Sequence, residues 1–442
     1  MAKAETENRA VVINGSRTPF VRAFTDFLKL DAVELGVKAV EGLLEKTGLD
    51  KKEIDAIVWG GVVLPSASPN VGREIAIEMG LPPSVEGVTV TRACASGLQA
   101  VTDAAALIER GEADVVIAGG GDSTSNVEVQ LPSKVVHTFA PLALSKKSGP
   151  MSYLKALTKM WPLSEVMPRR PQIAERSTGE LMGESAEKMG QINSISRQEQ
   201  DEFAVLSHQR AAAAVDNGIF DNEVAPVTLP NGKVVEKDGM IRANTNTDKL
   251  AKLRPAFAKE GNLTAGNSSA LTDGAAAVLL MSAKKAKELG FAPLAAFKSW
   301  AYVGVDPNDQ LLMGPAIAMP LALKRADMEL DDMDVVDMHE AFAAQVLSVL
   351  GMLESDEFAK ERLDRESAVG KIDRDKLNLY GGSLALGHPF AATGARMVTT
   401  MANELHRSGK KNALLGLCAA GGLGAAAVME RWDDEAQEET NA

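Results

Sequence analysis

Residues 87–121 read GVTVTRACASGLQAVTDAAALIERGEADVVIAGGG. The β-branched run Gly87–Thr91 predicts a buried strand, and Gly97–Arg110 predicts a helix that Gly111 ends. A second apolar run, Asp114–Ala118, predicts another buried strand that leads into three consecutive glycines. Strand, helix and strand in this order are typical of a layered α/β protein.

The chain before this stretch follows the same plan. Ala10–Ile13 predicts a buried strand that ends at Asn14-Gly15-Ser16. Asp31–Gly48 predicts a helix, with Asp31 as its N-cap and Gly48 at its end. Ile54–Val63 predicts a further strand. These elements extend the α/β pattern to the N-terminal part of the chain.

The plan recurs in the last third of the sequence. Leu323–Leu330 predicts a helix and Asp334–Asp337 a short strand. A glycine-rich turn, Gly381–Pro389, precedes a predicted helix over Ala392–Arg407. Ala413–Leu417 then predicts a strand that runs into a second glycine cluster. The segment EIDAIVWGGV also resembles DMDVVDMHEA, which begins 279 residues later, so we predict an internal duplication.

This duplication suggests a division of the chain into two similar halves and an insertion. Residues 128–254 are rich in charges and turn signals, and we interpret them as an inserted loop domain. The N-terminal half would then comprise residues 1–127 and 255–284, and the C-terminal half residues 285–442. A charged surface insertion near residues 354–376 explains the different spacing in the second half.

Composition restricts the class of function. The formal net charge is −13, which argues against general nucleic-acid binding. The chain has only two cysteines, and neither a secretory signal nor a long apolar run is visible. We therefore expect a cytoplasmic protein with two free thiols.

Cys94 lies between the predicted strand and helix of the opening stretch. Unpaired N–H groups and the helix dipole at such a position would lower the pKa of the thiol and favour the nucleophilic thiolate. Its neighbours Ala93, Ala95, Ser96 and Gly97 are small and leave room for a substrate. We predict that Cys94 is a nucleophile, against the alternative of a buried structural thiol.

Two histidines and the second cysteine occupy comparable positions. His339 and His388 follow predicted strands or turns, where sites of α/β proteins gather, and His388 suits general base work. Cys418 ends a strand before a glycine run whose N–H groups could bind an oxyanion. The cysteines and histidines lack metal-ligand spacing, so we predict no metal site.

Several separated motifs, taken together, resemble the thiolase family over nearly the whole chain. These motifs are Asn14–Phe20, the Cys94 segment, Gly266–Ser269, His339–Phe342, Gly387–Pro389 and the glycine run after Cys418. The resemblance implies a five-layered αβαβα fold of two duplicated halves plus an inserted loop domain. It also implies cleavage of a 3-ketoacyl-coenzyme A by a second coenzyme A (CoA), an acetyl-CoA C-acyltransferase activity of fatty-acid β-oxidation.

The resemblance also implies roles for individual residues. Cys94 matches the acylated nucleophile, His388 the base that takes its proton, and Cys418 the second acid–base group. One oxyanion hole would use His388 and His339, and the other the backbone N–H groups of Cys94 and Ala420. Ser269 matches a serine that contacts the pantetheine arm. No permanently bound cofactor is implied, because CoA enters as a substrate.

The closest resemblance is to the thiolase (β) subunit of the trifunctional complex of fatty-acid oxidation. Two features carry this resemblance. One is His339-Glu340-Ala341-Phe342, where many thiolases have Asn-Glu-Ala-Phe, and the other is the turn that follows Gly387. It implies a homodimer, or a heterotetramer with a hydratase/3-hydroxyacyl-CoA dehydrogenase subunit.

One basic stretch stands out in this acidic chain. Between Lys134 and Arg170, seven lysines and arginines accompany the single acid Glu165, with apolar residues between them. We hypothesise that this segment covers the acyl groove and contacts an anionic membrane or a partner subunit. A solvated basic face is the equal alternative.

Two other functions compete with thiolysis. A biosynthetic thiolase or a decarboxylating condensing enzyme would share the fold, but condensing enzymes usually pair cysteine with two histidines, or with histidine and asparagine, so Cys418 argues against them. A catalytically silent scaffold subunit is the alternative of another class. The presence of Cys94, His388 and Cys418 argues against that alternative.

Overall fold

The computed structural model describes residues 8–129, 131–167 and 174–433. It divides into a large compact unit, made of residues up to 126 and from 175 onward, and a small unit of residues 127–174. The sequence assigned residues 128–254 to an insertion, whereas residues 175–254 belong to the large unit. Their helices bury side chains such as Met189, Phe203 and Leu250 in its core.

The N-terminal half of the large unit alternates strands and helices. In chain order its elements are β1 (Ala10–Arg17), β2 (Val21–Arg22), α1 (Ala32–Thr47), β3 (Ala56–Gly60), α2 (Val71–Glu78), β4 (Glu86–Val90), α3 (Ser96–Glu109) and β5 (Val115–Ser123). The strands lie in the order β1-β8-β5-β3-β4, where β8 (Thr272–Ser282) returns after the insertion. β3 is parallel to β4 and β5, whereas β8 is antiparallel to β1 and β5.

Residues between β5 and β8 form helices and short strands in two places. The small unit contains α4 (Ser133–Leu144) and α5 (Pro150–Thr158). The large unit continues with α6 (Met182–Ile192), α7 (Arg197–Asp216), β6 (Val227–Thr228), β7 (Val234–Val235) and α8 (Thr247–Leu250). Among the described residues, no helix is both long and apolar enough to cross a membrane.

The C-terminal half repeats the order of the first. Its elements are α9 (Ala283–Leu289), β9 (Ala295–Gly304), α10 (Gly314–Arg325), β10 (Val335–Met338), α11 (Ala343–Leu353), α12 (Asp356–Arg362), α13 (Ser383–Leu386), α14 (Ala392–Ser408), β11 (Asn412–Ala419) and β12 (Leu423–Arg431). The strand order β9-β12-β11-β10 matches β1-β8-β5-β3. Antiparallel pairing of β1 with β9 joins the halves, and the predicted duplication is confirmed.

Three clusters of buried apolar residues hold five layers of helices and strands together. The central cluster packs α3 and α14 between the inner faces of the two half-sheets. A second cluster places α1 and α2 on the outer face of the first half-sheet. A third places α10 and α11 on the outer face of the second. The five-layered αβαβα expectation is therefore confirmed.

The capping signals explain where α1 begins and ends. The Asp31 carboxylate accepts hydrogen bonds from the backbone N–H groups of Val33 and Glu34, and Glu34 accepts one from the Asp31 N–H. Gly48 ends the helix in the left-handed conformation, with φ of 67°. The predicted helix over Asp31–Gly48 is confirmed.

Two predicted elements differ from the structure. β1 runs through the Asn14-Gly15-Ser16 turn signal to Arg17, because antiparallel pairing with β8 continues along that segment. The helix predicted over Leu323–Leu330 is wrong. α10 instead begins at Gly314, includes Pro320 and ends at Arg325, and Asp327 has a left-handed φ of 55°.

Candidate active site

The chemically active residues lie at strand ends and in turns of the two halves. Cys94 lies between β4 and α3, and His339 directly follows β10. His388 lies in the turn between α13 and α14, and Cys418 is on β11. Cys94 and His388, almost 300 positions apart in the sequence, come close together because α3 and α14 share the central layer.

Glycines bring the Cys94 and His388 segments into backbone contact. A Cβ atom at Gly97 would lie 2.0 Å from the carbonyl oxygen of Ala391, and one at Gly120 would lie 2.6 Å from it. A Cβ at Gly394 would lie 2.4 Å from the Leu98 nitrogen. Only glycine permits this approach of the start of α3 to the start of α14.

Burial, rather than the helix terminus, dominates the acidity of Cys94. Burial and, to a smaller extent, the nearby Asp122 carboxylate raise the pKa of its thiol to about 11. The N–H groups of Ala420 and of Cys94 itself favour the thiolate but do not compensate. The expectation of a lowered Cys94 pKa is therefore wrong, and the resting residue is a neutral thiol.

His388 is a neutral imidazole oriented by a neighbouring hydroxyl. Its Nδ1 lies 2.7 Å from Thr393 Oγ1, and its buried Nε2 has no hydrogen-bond partner. Burial and, to a smaller extent, the positive charge of Arg396 lower the pKa of His388 to about 3. Gly387, at φ of 98°, passes closely over Thr272 and sets the turn that presents this ring.

His339 faces His388 inside the site. The two ring centroids are 4.2 Å apart, and the rings are tilted by 43°. His339 Nδ1 lies 2.9 Å from Ser383 Oγ, whereas its buried Nε2 has no hydrogen-bond partner. Burial lowers the pKa of His339 well below its usual value, with His388 and Arg396 acting in the same direction. Two neutral imidazoles therefore present free Nε2 atoms.

Cys418 and Ala420 approach Cys94 from the second half. Cys418 is buried, with 1% of its surface exposed, and its thiol is free. Burial raises the Cys418 pKa well above its usual value, and the proximity of Cys94 adds to this. The Ala420 N–H donates to the Cys94 sulfur. The structure thus brings both thiols together.

Ser269 lies on a segment that borders the site. Its N–H donates to the Ala341 carbonyl at 3.0 Å, and the neighbouring Ser268 pairs with Phe342. Two residues further along, Leu271 pairs with His388. Half-buried Ser269 is therefore on the rim of the site rather than among the reacting groups.

Sequence reasoning did not identify Asp122, which hydrogen-bonds to two segments that border the site. Its carboxylate accepts hydrogen bonds from the N–H groups of Val62 at 2.8 Å, Val63 at 2.6 Å and Ala391 at 2.9 Å. It therefore connects the first half to the turn that carries His388. An acidic residue at the end of the glycine-rich strand β5 was the only available signal.

Glu340 is a second buried acid that was missed. It accepts hydrogen bonds from Ser207 Oγ at 2.6 Å, Asn378 Nδ2 at 2.7 Å and the Leu384 N–H at 3.2 Å. Asn378 also bonds both backbone groups of Met338. This network fixes the strand end that bears His339 against the helix that bears Ser383.

Comparison with known proteins agrees with this architecture. The family model "Thiolase, N-terminal domain" matches residues 10–284, and "Thiolase, C-terminal domain" matches residues 291–431. The 3-ketoacyl-CoA thiolase of Shewanella loihica is 44% identical over 425 residues, which cover 96% of this chain and 97% of the relative. That of Photobacterium profundum is 45% identical over 424 residues, with the same coverage of both chains.

Solved structures extend the similarity. Human mitochondrial 3-ketoacyl-CoA thiolase in complex with CoA superimposes with a TM-score of 0.79 at 30% identity, covering 96% of this chain and 99% of the human one. The acetyl-CoA acetyltransferase of Bacillus anthracis gives a TM-score of 0.80 at 32% identity, covering 97% and 100%. The two family models together span almost all of the described chain, and the chain belongs to the thiolase family.

Proposed function

We propose that this chain is a 3-ketoacyl-CoA thiolase, an acetyl-CoA C-acyltransferase of fatty-acid β-oxidation. It would cleave a 3-ketoacyl-CoA with CoA to acetyl-CoA and an acyl-CoA shortened by two carbons. The observation that carries the proposal is the convergence of Cys94, His339 and His388, whose ligand atoms lie within 4.8 Å of one another beside a second buried thiol. The Shewanella, Photobacterium and human proteins described above are named 3-ketoacyl-CoA thiolases.

The first step activates the Cys94 thiol. Because its pKa is about 11, the resting thiol is protonated and needs a base as it attacks the 3-keto carbon. His388 Nε2 is unprotonated when Nδ1–H donates to Thr393, and it takes the proton from Cys94. Attack, followed by cleavage of the C2–C3 bond, leaves an acyl-Cys94 thioester and the enolate of acetyl-CoA.

Two sets of donors stabilise the developing oxyanions. The Nε2–H of the protonated His388 would bind the enolate oxygen, as would the Nε2–H of His339 when Ser383 Oγ–H donates to His339 Nδ1. The N–H groups of Cys94 and Ala420, which both contact the Cys94 sulfur, would bind the oxygen of the tetrahedral intermediate. The Cys94 and Ala420 donors belong to the backbone, so they need little reorganisation as the charge develops.

Cys418 serves as acid and then as base. Its raised pKa keeps the thiol protonated, so it can give its proton to the enolate carbon. The resulting thiolate then takes the proton of the incoming CoA thiol, whose sulfur attacks acyl-Cys94. The acyl group passes to CoA, and the Cys94 sulfur leaves and takes back its proton from His388. CoA is a substrate here, and Ser269 on the rim would contact its pantetheine arm.

The direct test is CoA-dependent loss of a long-chain 3-ketoacyl-CoA, followed by its enolate absorbance. We expect Cys94→Ala to reduce kcat by at least about 10³-fold, because the acyl intermediate of the proposed reaction forms on its sulfur. Mass spectrometry of wild type mixed with substrate alone should detect acyl-Cys94. Equal rates in wild type and Cys94→Ala would disprove the proposal, and inactivity of both would favour the scaffold alternative.

We further propose that the chain forms a homodimer and joins a hydratase/3-hydroxyacyl-CoA dehydrogenase subunit in the cytoplasm. The support is the resemblance of the His339–Phe342 motif to that subfamily. Light scattering of the purified chain, alone and co-expressed with such a subunit, measures both masses. A monomeric mass under both conditions would contradict the assembly, and a membrane-enclosed fraction in cell lysates would contradict the location.

The small unit supports a proposed contact with an anionic membrane. Met151, Leu154 and Leu157 on α5 are each more than half exposed, and Lys155 lies between them. Trp161 beyond the helix is 76% exposed. Such apolar and basic residues suit an interfacial position. Leu154→Glu should reduce sedimentation with anionic liposomes, whereas unchanged sedimentation would favour the solvated basic face.

A further inference from the structure

The proposed reaction uses Cys94, His339 and His388 as separate chemical groups, but together they also form a ligand set. Each of the three offers one ligand atom, and these atoms all lie within 4.8 Å of one another. His339 is fully buried and His388 is 6% exposed, and both Nε2 atoms lack a hydrogen-bond partner. We propose that these three residues bind a divalent transition-metal ion of the zinc type, which reversibly blocks the nucleophile.

The outer hydrogen bonds of both imidazoles suit this role. His388 Nδ1 lies 2.7 Å from Thr393 Oγ1, and His339 Nδ1 lies 2.9 Å from Ser383 Oγ. When each hydroxyl accepts the Nδ1–H, each Nε2 keeps a lone pair that can bind a metal ion. Metal-binding histidines commonly have their second ring nitrogen held in this way.

The protonation states of the ligands are also compatible with binding. Burial lowers the pKa values of both histidines, so both rings are neutral near neutral pH. A metal ion can therefore bind Nε2 without displacing a proton from an imidazolium. Cys94 must lose its proton, which leaves to solvent as the sulfur–metal bond forms. The positive ion replaces that proton and stabilises the thiolate, and no oxidant or reductant is needed.

The distances require only a small contraction. In a tetrahedral zinc site, bonds of about 2.0–2.3 Å place neighbouring ligand atoms about 3.3–3.6 Å apart. The present upper limit of 4.8 Å therefore asks for side-chain movements of about 1 Å. One thiolate and two imidazoles favour zinc or cobalt over magnesium or calcium, and the fourth position is available to water.

The consequence is an inhibited state rather than a catalytic one. A metal-bound Cys94 sulfur cannot attack a carbonyl, and the metal occupies the free Nε2 of the base. His339 supplies the third ligand, so replacing its imidazole by an amide should weaken the site strongly. Sequence spacing does not reveal this set, because its members come from three separate segments of the chain.

Direct binding of Co²⁺ to the chelator-stripped full chain tests the proposal without any acyl-CoA. We expect one ion per chain, a thiolate-to-cobalt charge-transfer band, tetrahedral visible bands and stoichiometric displacement by Zn²⁺. Cys94→Ser should abolish the charge-transfer band. His339→Asn and His388→Asn should each weaken binding more than about 100-fold, since even loss of an outer hydrogen bond costs about 10–100-fold.

Two further variants complete the experiment. His406→Asn removes an exposed histidine on α14 and should leave the affinity unchanged. Thr393→Val keeps all three ligands and should weaken binding about 10–100-fold. Thermal unfolding checks that each variant is folded. Binding that survives His339→Asn and Cys94→Ser, or that disappears in His406→Asn, would overturn the site. Because turnover is not measured, this outcome is independent of the thiolase proposal.

Discussion

At the scale of single residues, the site keeps the Cys94 thiol protonated before substrate binds. Burial, the Asp122 carboxylate and the neighbouring Cys418 thiol all favour the protonated form over the thiolate. His388 is also neutral at rest, because burial lowers its pKa to about 3. A preformed thiolate–imidazolium pair is therefore disfavoured, and charge separates only when substrate supplies an oxyanion for the donors to bind.

This arrangement predicts how Cys94 reacts with a small alkylating agent. The thiolate is the reactive form, and its fraction rises about tenfold per pH unit below the pKa. With a pKa of about 11, the alkylation rate should rise continuously from pH 7 to pH 9. Iodoacetamide labelling of the Cys418→Ala variant, followed by mass spectrometry, isolates Cys94 because the chain has only two cysteines. A plateau below pH 8 would show that a thiolate–imidazolium pair exists at rest.

At the scale of elements, the contact between α3 and α14 aligns the two reacting segments. The carbonyl of Ala391 approaches both Gly97 and Gly120 within a distance that no Cβ atom allows. Backbone-to-backbone packing of this kind has few adjustable side chains, so the separation of Cys94 and His388 is set by the main chain itself.

Adding a methyl group at Gly97 should therefore misalign the site. Gly97→Ala places Cβ about 2.0 Å from the Ala391 oxygen, so the helix start or the His388 turn must shift. A displacement near 1 Å can cost about 10²-fold in rate, and we expect kcat/KM to fall by that amount or more. The matched control is Gly351→Ala in α11, where the added Cβ meets nothing within 4 Å.

For the control we expect unchanged turnover and a gain in stability of up to about 1 kcal/mol, because alanine favours a helix over glycine. Steady-state kinetics and thermal unfolding of both variants measure these effects. Equal kinetics for Gly97→Ala and wild type would contradict the role assigned to the α3–α14 contact.

Elements with a regular pattern were predictable from the sequence, and those shaped by distant partners were not. The spacing of apolar residues and the caps Asp31 and Gly48 predicted α1 closely. The turn signal Asn14-Gly15-Ser16 failed, because pairing with β8, more than 250 residues later, overrides it. α10 failed for a related reason, since burial in the outer layer of the second half tolerates Pro320 within the helix.

At the scale of the whole molecule, the site depends on the joining of the two halves. Cys94, His388 and Cys418 were recognisable from local sequence because each has small or glycine neighbours at a predicted strand end or turn. Asp122 was not, because its function arises from a hydrogen bond to Ala391 across 269 residues. Local sequence therefore identified the reactive atoms, whereas the groups that hold them in place became visible only in three dimensions.

The same carboxylate makes the stability of the molecule depend on pH. Burial raises the pKa of Asp122 from its usual 3.8 to about 7, although three backbone N–H groups oppose that shift. A raised carboxyl pKa means that the folded state holds a proton more tightly than the unfolded one. Its favourable contribution is fully present below about pH 4 and is lost as the pH rises through 7.

Removing the titrating group should therefore remove this slope. We expect the melting temperature of Asp122→Asn, relative to wild type, to increase steadily between pH 4 and pH 7, because in this range ionisation of Asp122 stabilises the unfolded wild type while its folded state keeps the carboxyl protonated. Asp55→Asn is the control, since the exposed Asp55 also accepts bonds from two backbone N–H groups, and it should keep the wild-type slope. Differential scanning fluorimetry across this range measures all three proteins. A constant difference between Asp122→Asn and wild type would mean that Asp122 stays ionised throughout, held by Val62, Val63 and Ala391 more strongly than burial opposes.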